Sequence, residues 1–167
     1  MAPRFLLHHA KGSRSDRILW LLEEAGASYE LALHDLEQAT QKAPGFLALN
    51  PFGKLLVLVD RGPDGDWNAA VTESLAICAY VADVLPDSGL APAVGTPARA
   101  AYATWLAIGG CVLEPAFADL AFPRAKEPPV RGIGWPPFAE VVARIEAAVT
   151  PGPYLLGETF SAADIMV

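Results

Sequence analysis

Apolar positions along this 167-residue chain follow two different rhythms, one in each half. In the first half, short apolar runs alternate with helical stripes. Arg4–His8 has a strand pattern; Ile18, Leu21, Leu22 and Ala25 then recur at i, i+3, i+4 and i+7, one face of a helix that Gly26 can end. Tyr29–Leu33 reads as a second strand, parallel to the first through a right-handed crossover. Residues 39–49 carry a weaker helical pattern, broken by Pro44 and Gly45. Leu55–Val59 is an unbroken apolar run, the mark of a strand covered on both faces. Gly62, Pro63, Asp64 and Gly65 supply turn chemistry, and Trp67–Val71 returns as the antiparallel partner. Ser74–Val84 predicts a helix that stops before Pro86. The order β-α-β-(α)-β-β-α makes residues 1–85 one α/β unit.

The second half has no strand pattern. Eleven of the fifteen prolines lie after residue 85, and Pro86–Pro97 has Pro and Gly punctuation without an apolar period, so 86–97 reads as a linker. Pro97 then suits the first turn of a helix along which Tyr102, Leu106, Gly109, Leu113, Ala116 and Leu120 keep a helical period. Pro115 predicts a kink in it. The five prolines and two glycines of residues 123–137 predict a loop. Phe138, Val141, Val142, Ile145 and Val149 form another stripe, which Pro151-Gly152-Pro153 breaks. Ser161 and Asp164 have the spacing of a capping box at the start of a third helix. Residues 98–167 are therefore expected to be all-helical. That last helix has only seven residues from Ser161 to Val167, too few for one stable alone, so a longer helical C-terminal part is expected to be missing from this sequence.

Charge narrows the function. Twelve basic and nineteen acidic residues give a net −7, with neither half basic, which argues against a dedicated nucleic-acid binder. The longest run without charge, Ala100–Leu113, has 14 residues, short of the roughly 18 that span a bilayer, and predicts a core helix. Phe5-Leu6-Leu7 is shorter than the about 7–15 apolar residues of a signal peptide. Cys78 and Cys111 lie within helical patterns and have no metal-ligand spacing; buried, inert thiols are expected. His8 and His9 follow the first strand and are candidates to line a site, against the plainer reading of surface residues; with only His34 besides, no metal site is predicted. A reduced cytoplasmic protein without a membrane segment is the expectation.

Four segments, in order, carry a resemblance. Lys11–Gly26 (KGSRSDRILWLLEEAG), Asn50–Leu55 (NPFGKL), Thr72–Ile77 (TESLAI) and Tyr154–Ile165 (YLLGETFSAADI) resemble blocks of the bacterial cytosolic glutathione S-transferases of the serine type. The resemblance implies a thioredoxin-like N-terminal domain that binds glutathione, an all-α C-terminal domain that shapes the second-substrate pocket, and a homodimer. It implies conjugation of the glutathione thiolate to a small hydrophobic electrophile, as in detoxification. The same fold also serves as a non-catalytic binding or interaction module, and the same site can host a glutathione-dependent isomerase, dehalogenase or peroxidase.

That chemistry needs a thiolate, and a free thiol has a pKa of about 8.5. Lowering it by about two units requires roughly 2.7 kcal/mol, within reach of a hydroxyl donor beside a helix N-terminus. Ser13 and Ser15 stand where such a helix begins, and the resemblance favours Ser13 for the sulfur. Ser13 with Asp16 is also a capping-box pattern, so Ser13 as an ordinary N-cap stays open. Arg14 stands where cysteine-type members carry cysteine. Ser74, at a helix start, suits a carboxylate, and Glu73 can accept from an ammonium; together they match a γ-glutamyl group, against the plainer reading of an N-cap beside a surface acid. Lys54 can meet the glycyl carboxylate or remain a solvated loop lysine, and the main chain of Leu55 is expected to pair with the cysteinyl backbone. Leu56 occupies the place of the family's cis-proline. A cis bond before a non-proline residue costs about 2.5–4 kcal/mol, so a trans Leu55–Leu56 peptide is expected, to the detriment of glutathione affinity. Trp105, Phe117, Phe122, Trp135 and Phe138 are candidate walls of the second-substrate pocket, most of them expected in the core. Asp164 reads as structural.

Overall fold

Strand pairing organises the first part of the chain. In the computed structural model, which describes residues 2–126, 128–129 and 131–167, spatial contacts divide the chain into two units, Met1–Ser88 and Gly89–Val167. The first holds a four-stranded sheet in the order β2-β1-β3-β4, formed by β1 (Phe5–His9), β2 (Tyr29–Leu33), β3 (Val57–Asp60) and β4 (Ala69–Thr72). β1 is parallel to β2 and antiparallel to β3, and β3 is antiparallel to β4. Helix α1 (Ser15–Glu24) makes the β1-to-β2 crossover and buries Ile18, Leu21 and Leu22. Gly26, at φ 60°, takes the left-handed position that ends it. Helix α3 (Ser74–Val84) packs against α1 and buries Ile77, Cys78 and Val81. This mixed sheet with its helices is the thioredoxin-like architecture.

Alternation along β1 sorts its side chains. Phe5, Leu7 and His9 are buried on one face; on the other, Leu6 joins Val57, Val59, Leu49, Leu55 and Phe46. All four residues of β3 are buried, as its unbroken apolar run predicts. β3 starts two residues later than the apolar run, after the Leu55–Leu56 peptide, which is cis. The expected trans bond is thus corrected: the local preference is overridden by tertiary contacts, with Leu56 only 4 % exposed and Asn50 Nδ2 donating to Lys54 O at 2.8 Å. The weak pattern over 39–49 resolves into a 3₁₀ turn, Thr40–Lys42, and a four-residue helix α2, Pro44–Leu47. Pro44 stands in the first turn of α2, where its missing N–H is harmless.

A buried ionic knot closes this unit. Asp60, fully buried at the end of β3, accepts from Arg4 Nε at 2.9 Å and from its terminal nitrogen at 2.8 Å. It also accepts from Gly62 N–H at 2.8 Å and Tyr80 O–H at 2.9 Å. Burial alone raises a carboxyl pKa, but these donors together hold Asp60 below its ordinary value. Cys78 is buried, which pushes its thiol pKa up to about 12. Cys111, expected buried, is exposed, because it stands two residues off the Gly109 and Leu113 stripe of its helix.

In the second unit, α4 (Pro97–Ile108), a π turn (Gly109–Leu113) and α5 (Glu114–Ala121) run on as one helical stretch. Its 25 residues make it the one described helix long and apolar enough to cross a membrane; Tyr102, Trp105, Leu106 and Ala116 are nevertheless buried within the fold. The predicted irregularity at Pro115 appears just before it. Proline lacks an N–H and its ring crowds the carbonyl four residues earlier, here Cys111, and the π turn widens the helix at that point. Helix α6 (Phe138–Ala148) buries Val141, and α7 (Ala162–Met166) opens with the expected Ser161–Asp164 capping box. Asp164 also accepts Leu155 N–H at 2.7 Å, which bears out its structural reading. A Cβ on Gly109 would lie 2.9 Å from the backbone oxygen of Met166, so α7 approaches the π turn as only glycine permits. Residues 123–126, 128–129 and 131–137 run as an irregular segment between α5 and α6; Glu127 and Val130 of the predicted loop lie outside the described residues.

Candidate functional site

The turn between β1 and α1 gathers hydroxyls. Ser13 Oγ donates to Ala10 O at 2.7 Å or to Ser15 Oγ, also at 2.7 Å, and accepts Ser15 N–H at 3.2 Å. The N-cap position of α1 falls on Arg14 with no side-chain cap bond, so the N-cap reading of Ser13 is not met, although its Oγ does accept the N–H of the first helical residue. Asp16 completes no capping box with Ser13; its Oδ2 accepts from Gly12 N–H at 2.9 Å. Ser15 is fully buried and Ser13 half-buried. His9, expected at the surface, is 7 % exposed, because strand alternation turns it to the face that α1 covers. Its Nδ1 lies 2.9 Å from Ser15 Oγ.

A cavity of about 100 Å³ opens in the same unit, lined by Arg14, Asn50, Lys54, Leu55, Leu56, Glu73 and Ser74. The cis peptide sets Leu55 and Leu56 at its wall, and Asn50 shapes the loop before them, accepting Phe52 N–H at 3.2 Å. Glu73 stands directly before α3 at φ 68°, a backbone region that side-chain-bearing residues rarely occupy. Ser74 is the first residue of α3, whose free N–H groups and dipole favour an anion. The wall thus combines two cations, one carboxylate and a helix start.

Ordered histidine pairing lies on the opposite face of β1. His8 Nδ1 is 2.9 Å from His34 Nε2, and both rings meet Phe46 edge-on. Burial lowers the pKa of both, with the neighbouring ring adding to the effect on His8. Among the described residues, no three His, Cys, Asp or Glu side chains are grouped to hold a metal ion.

Known proteins place this arrangement. The family profile described as Glutathione S-transferase, N-terminal domain, matches residues 3–83. Glutathione S-transferase 3 of Zea mays is 31 % identical over 98 % of this chain and 75 % of its own length. The chain belongs to the glutathione S-transferase family. Probable glutathione S-transferase GSTF2 of Oryza sativa subsp. japonica is a second such relative, 32 % identical over 99 % of this chain and 78 % of its own. A glutathione transferase of Phanerochaete chrysosporium, solved with oxidized glutathione, superposes with a TM-score of 0.77 at 27 % identity, covering 99 % of this chain and 76 % of that one.

Within this glutathione S-transferase fold, the expected residues fall in two groups. Lys54, Leu55, Glu73 and Ser74 line one cavity. Ser13 and Ser15 do not line it; they form the hydroxyl cluster at the start of α1. Sequence reasoning misses Arg14 and Asn50 as cavity residues. Arg14 stands out there only as a substitute for cysteine, whereas Asn50 shares the loop of Lys54, a signal that could have found it. Of the five aromatic candidates, Trp105 is buried, Phe117 and Phe122 are exposed, and Trp135 and Phe138 line a cavity of about 460 Å³ inside the second unit. There Trp135 Nε1 donates to Asp119 at 2.8 Å, and Arg124 makes a two-point pair with the same carboxylate.

Proposed function

We propose that this chain is a glutathione S-transferase of the serine type, transferring the glutathione thiolate to a small hydrophobic electrophile as a cytoplasmic homodimer. The observation that carries the reading is the charge pattern of the small cavity. A γ-glutamyl group bears a carboxylate and an ammonium on one carbon. Ser74 and the N-terminus of α3 suit the carboxylate, and Glu73 beside them suits the ammonium. Lys54 takes the glycyl carboxylate as a point charge, and the Leu55 main chain pairs with the cysteinyl backbone. Arg14 adds positive charge on the same wall.

Ser13 is the hydroxyl assigned to the sulfur. Ser15 is fully buried, whereas Ser13 is partly exposed and can reach a ligand atom. A hydroxyl donor at the start of α1 stabilises the thiolate over the thiol, and positioning supplies much of the remaining rate. Retention on immobilised glutathione, followed by conjugation to an aryl halide, tests this. Ser13→Ala is expected to keep retention and lose about 100-fold in kcat/KM, the factor that two pKa units represent. Absence of retention by the unaltered protein overturns the enzyme and favours a non-catalytic interaction module.

A further inference from the structure

A hydroxyl that steadies a thiolate does not explain where the thiol proton goes. The turn after β1 contains a route for it. Ser13 Oγ is 2.7 Å from Ser15 Oγ, and Ser15 Oγ is 2.9 Å from Nδ1 of His9. Each serine oxygen accepts one backbone N–H, Ser15 N to Ser13 at 3.2 Å and Ala10 N to Ser15 at 3.1 Å. Its single proton is left to point along the chain of hydroxyls or at Ala10 O. The outer end of this chain, Ser13, is partly exposed and the inner end, His9, is buried, so the hydroxyls link the ligand side of the turn to the imidazole.

Charge is placed to receive one. On its far side, His9 Nε2 faces Asp16 Oδ1 at 3.7 Å, while Gly12 N–H fixes the other oxygen of that carboxylate. The carboxylate favours the tautomer with hydrogen on Nε2, which turns the Nδ1 lone pair toward Ser15. From α1 the groups facing His9 are Ser15 and Asp16; from β2 its partner in register is the apolar Leu33.

We propose that His9 is the proton acceptor for the glutathione thiol, acting through Ser15 and Ser13. The proposal rests on the glutathione-binding reading above. The thiol proton passes to Ser13 Oγ as the Ser13 proton moves to Ser15 Oγ and the Ser15 proton to His9 Nδ1. One S–H bond is broken and one N–H bond is made; each serine keeps one proton, and nothing is oxidised or reduced. The products are a thiolate and an imidazolium, and the new Ser13 O–H points back at the sulfur. Once the thiolate has attacked and the leaving group has departed as an anion, His9 returns its proton to solvent along the same hydroxyls.

Imidazole NMR of the full chain, with the histidines isotopically labelled, tests this without a substitution. Saturating glutathione should add a proton to the His9 ring, whereas S-methylglutathione, which has no thiol proton, should add none. Identical His9 signals with both ligands overturn the relay and leave the binding reading intact; failure to bind either ligand overturns both. In a second test, His9→Asn offers Ser15 an acceptor oxygen that cannot take the proton. Its bound thiol should ionise about one pKa unit higher by thiolate absorbance, with conjugation about tenfold slower near pH 6.5 and the deficit closing by about pH 9. Ser15→Ala cuts the same route and should show the same pH signature if His9→Asn folds poorly. A deficit equal at every pH shows a structural role for His9 and overturns the proposal.

Discussion

Glu73 holds a backbone conformation that costs it stability. Positive φ at a residue with a β-carbon is worth roughly 1–3 kcal/mol of strain, while glycine there forfeits about 0.5–1 kcal/mol of backbone entropy. Glu73→Gly is therefore expected to gain ~1 kcal/mol in urea unfolding and to lose retention on glutathione, whereas Glu73→Ala should lose retention without the gain. Such a split between stability and binding marks a functional residue. His8 and His34 set a different balance. Their folded pKa values lie below the ordinary one, so on acidification the unfolded chain takes up protons first. Their stabilising contribution is complete above about pH 6.5 and is lost as pH falls from there through the lower folded values. The urea midpoint should drop as pH falls below about 6.5, and His34→Gln should flatten that slope. Both serines of the opening helix stand out in the sequence, but burial separates them, and burial depends on the sheet that α1 covers.

Elements with a strong period are readable in the sequence, and those shaped by a single contact are not. The buried β3 follows from an unbroken apolar run, and α3 from a stripe bounded by Pro86. The π turn escapes a 3.6-residue period: Gly109 and Ala116 on either side of its end are both buried, and the stripe fails only beyond them, at exposed Leu120. The cis Leu55–Leu56 peptide escapes too, since local preference opposes it and distant contacts decide. Nor does any local pattern announce the Arg4–Asp60 pair, whose members lie 56 residues apart. Asp60→Ala strands the Arg4 guanidinium and the Gly62 N–H; a loss of about 3–5 kcal/mol is expected by chemical denaturation. At the other end of the chain, Gly109→Ala places a methyl 2.9 Å from the Met166 backbone oxygen. A cost of about 1–3 kcal/mol should follow, with hydrogen-exchange protection lost first in α7.

At the scale of the whole molecule, the family is readable because four separated blocks each build one local feature of the fold. They form a helix start, a loop at the cavity, a helix N-terminus and a capping box. Net charge of −7 with a pI near 4.8 predicts minimal solubility close to pH 4.8, checked by light scattering across a pH series. Each unit also carries one thiol, and the two differ sharply in access: Cys111 is exposed, while Cys78 is sealed on the inner side of α3 with its ionisation suppressed. A maleimide dye added to native protein should therefore mark Cys111 at once and reach Cys78 only when the first unit opens. The chain carries its own stopwatch for that event, with the faster label as an internal standard.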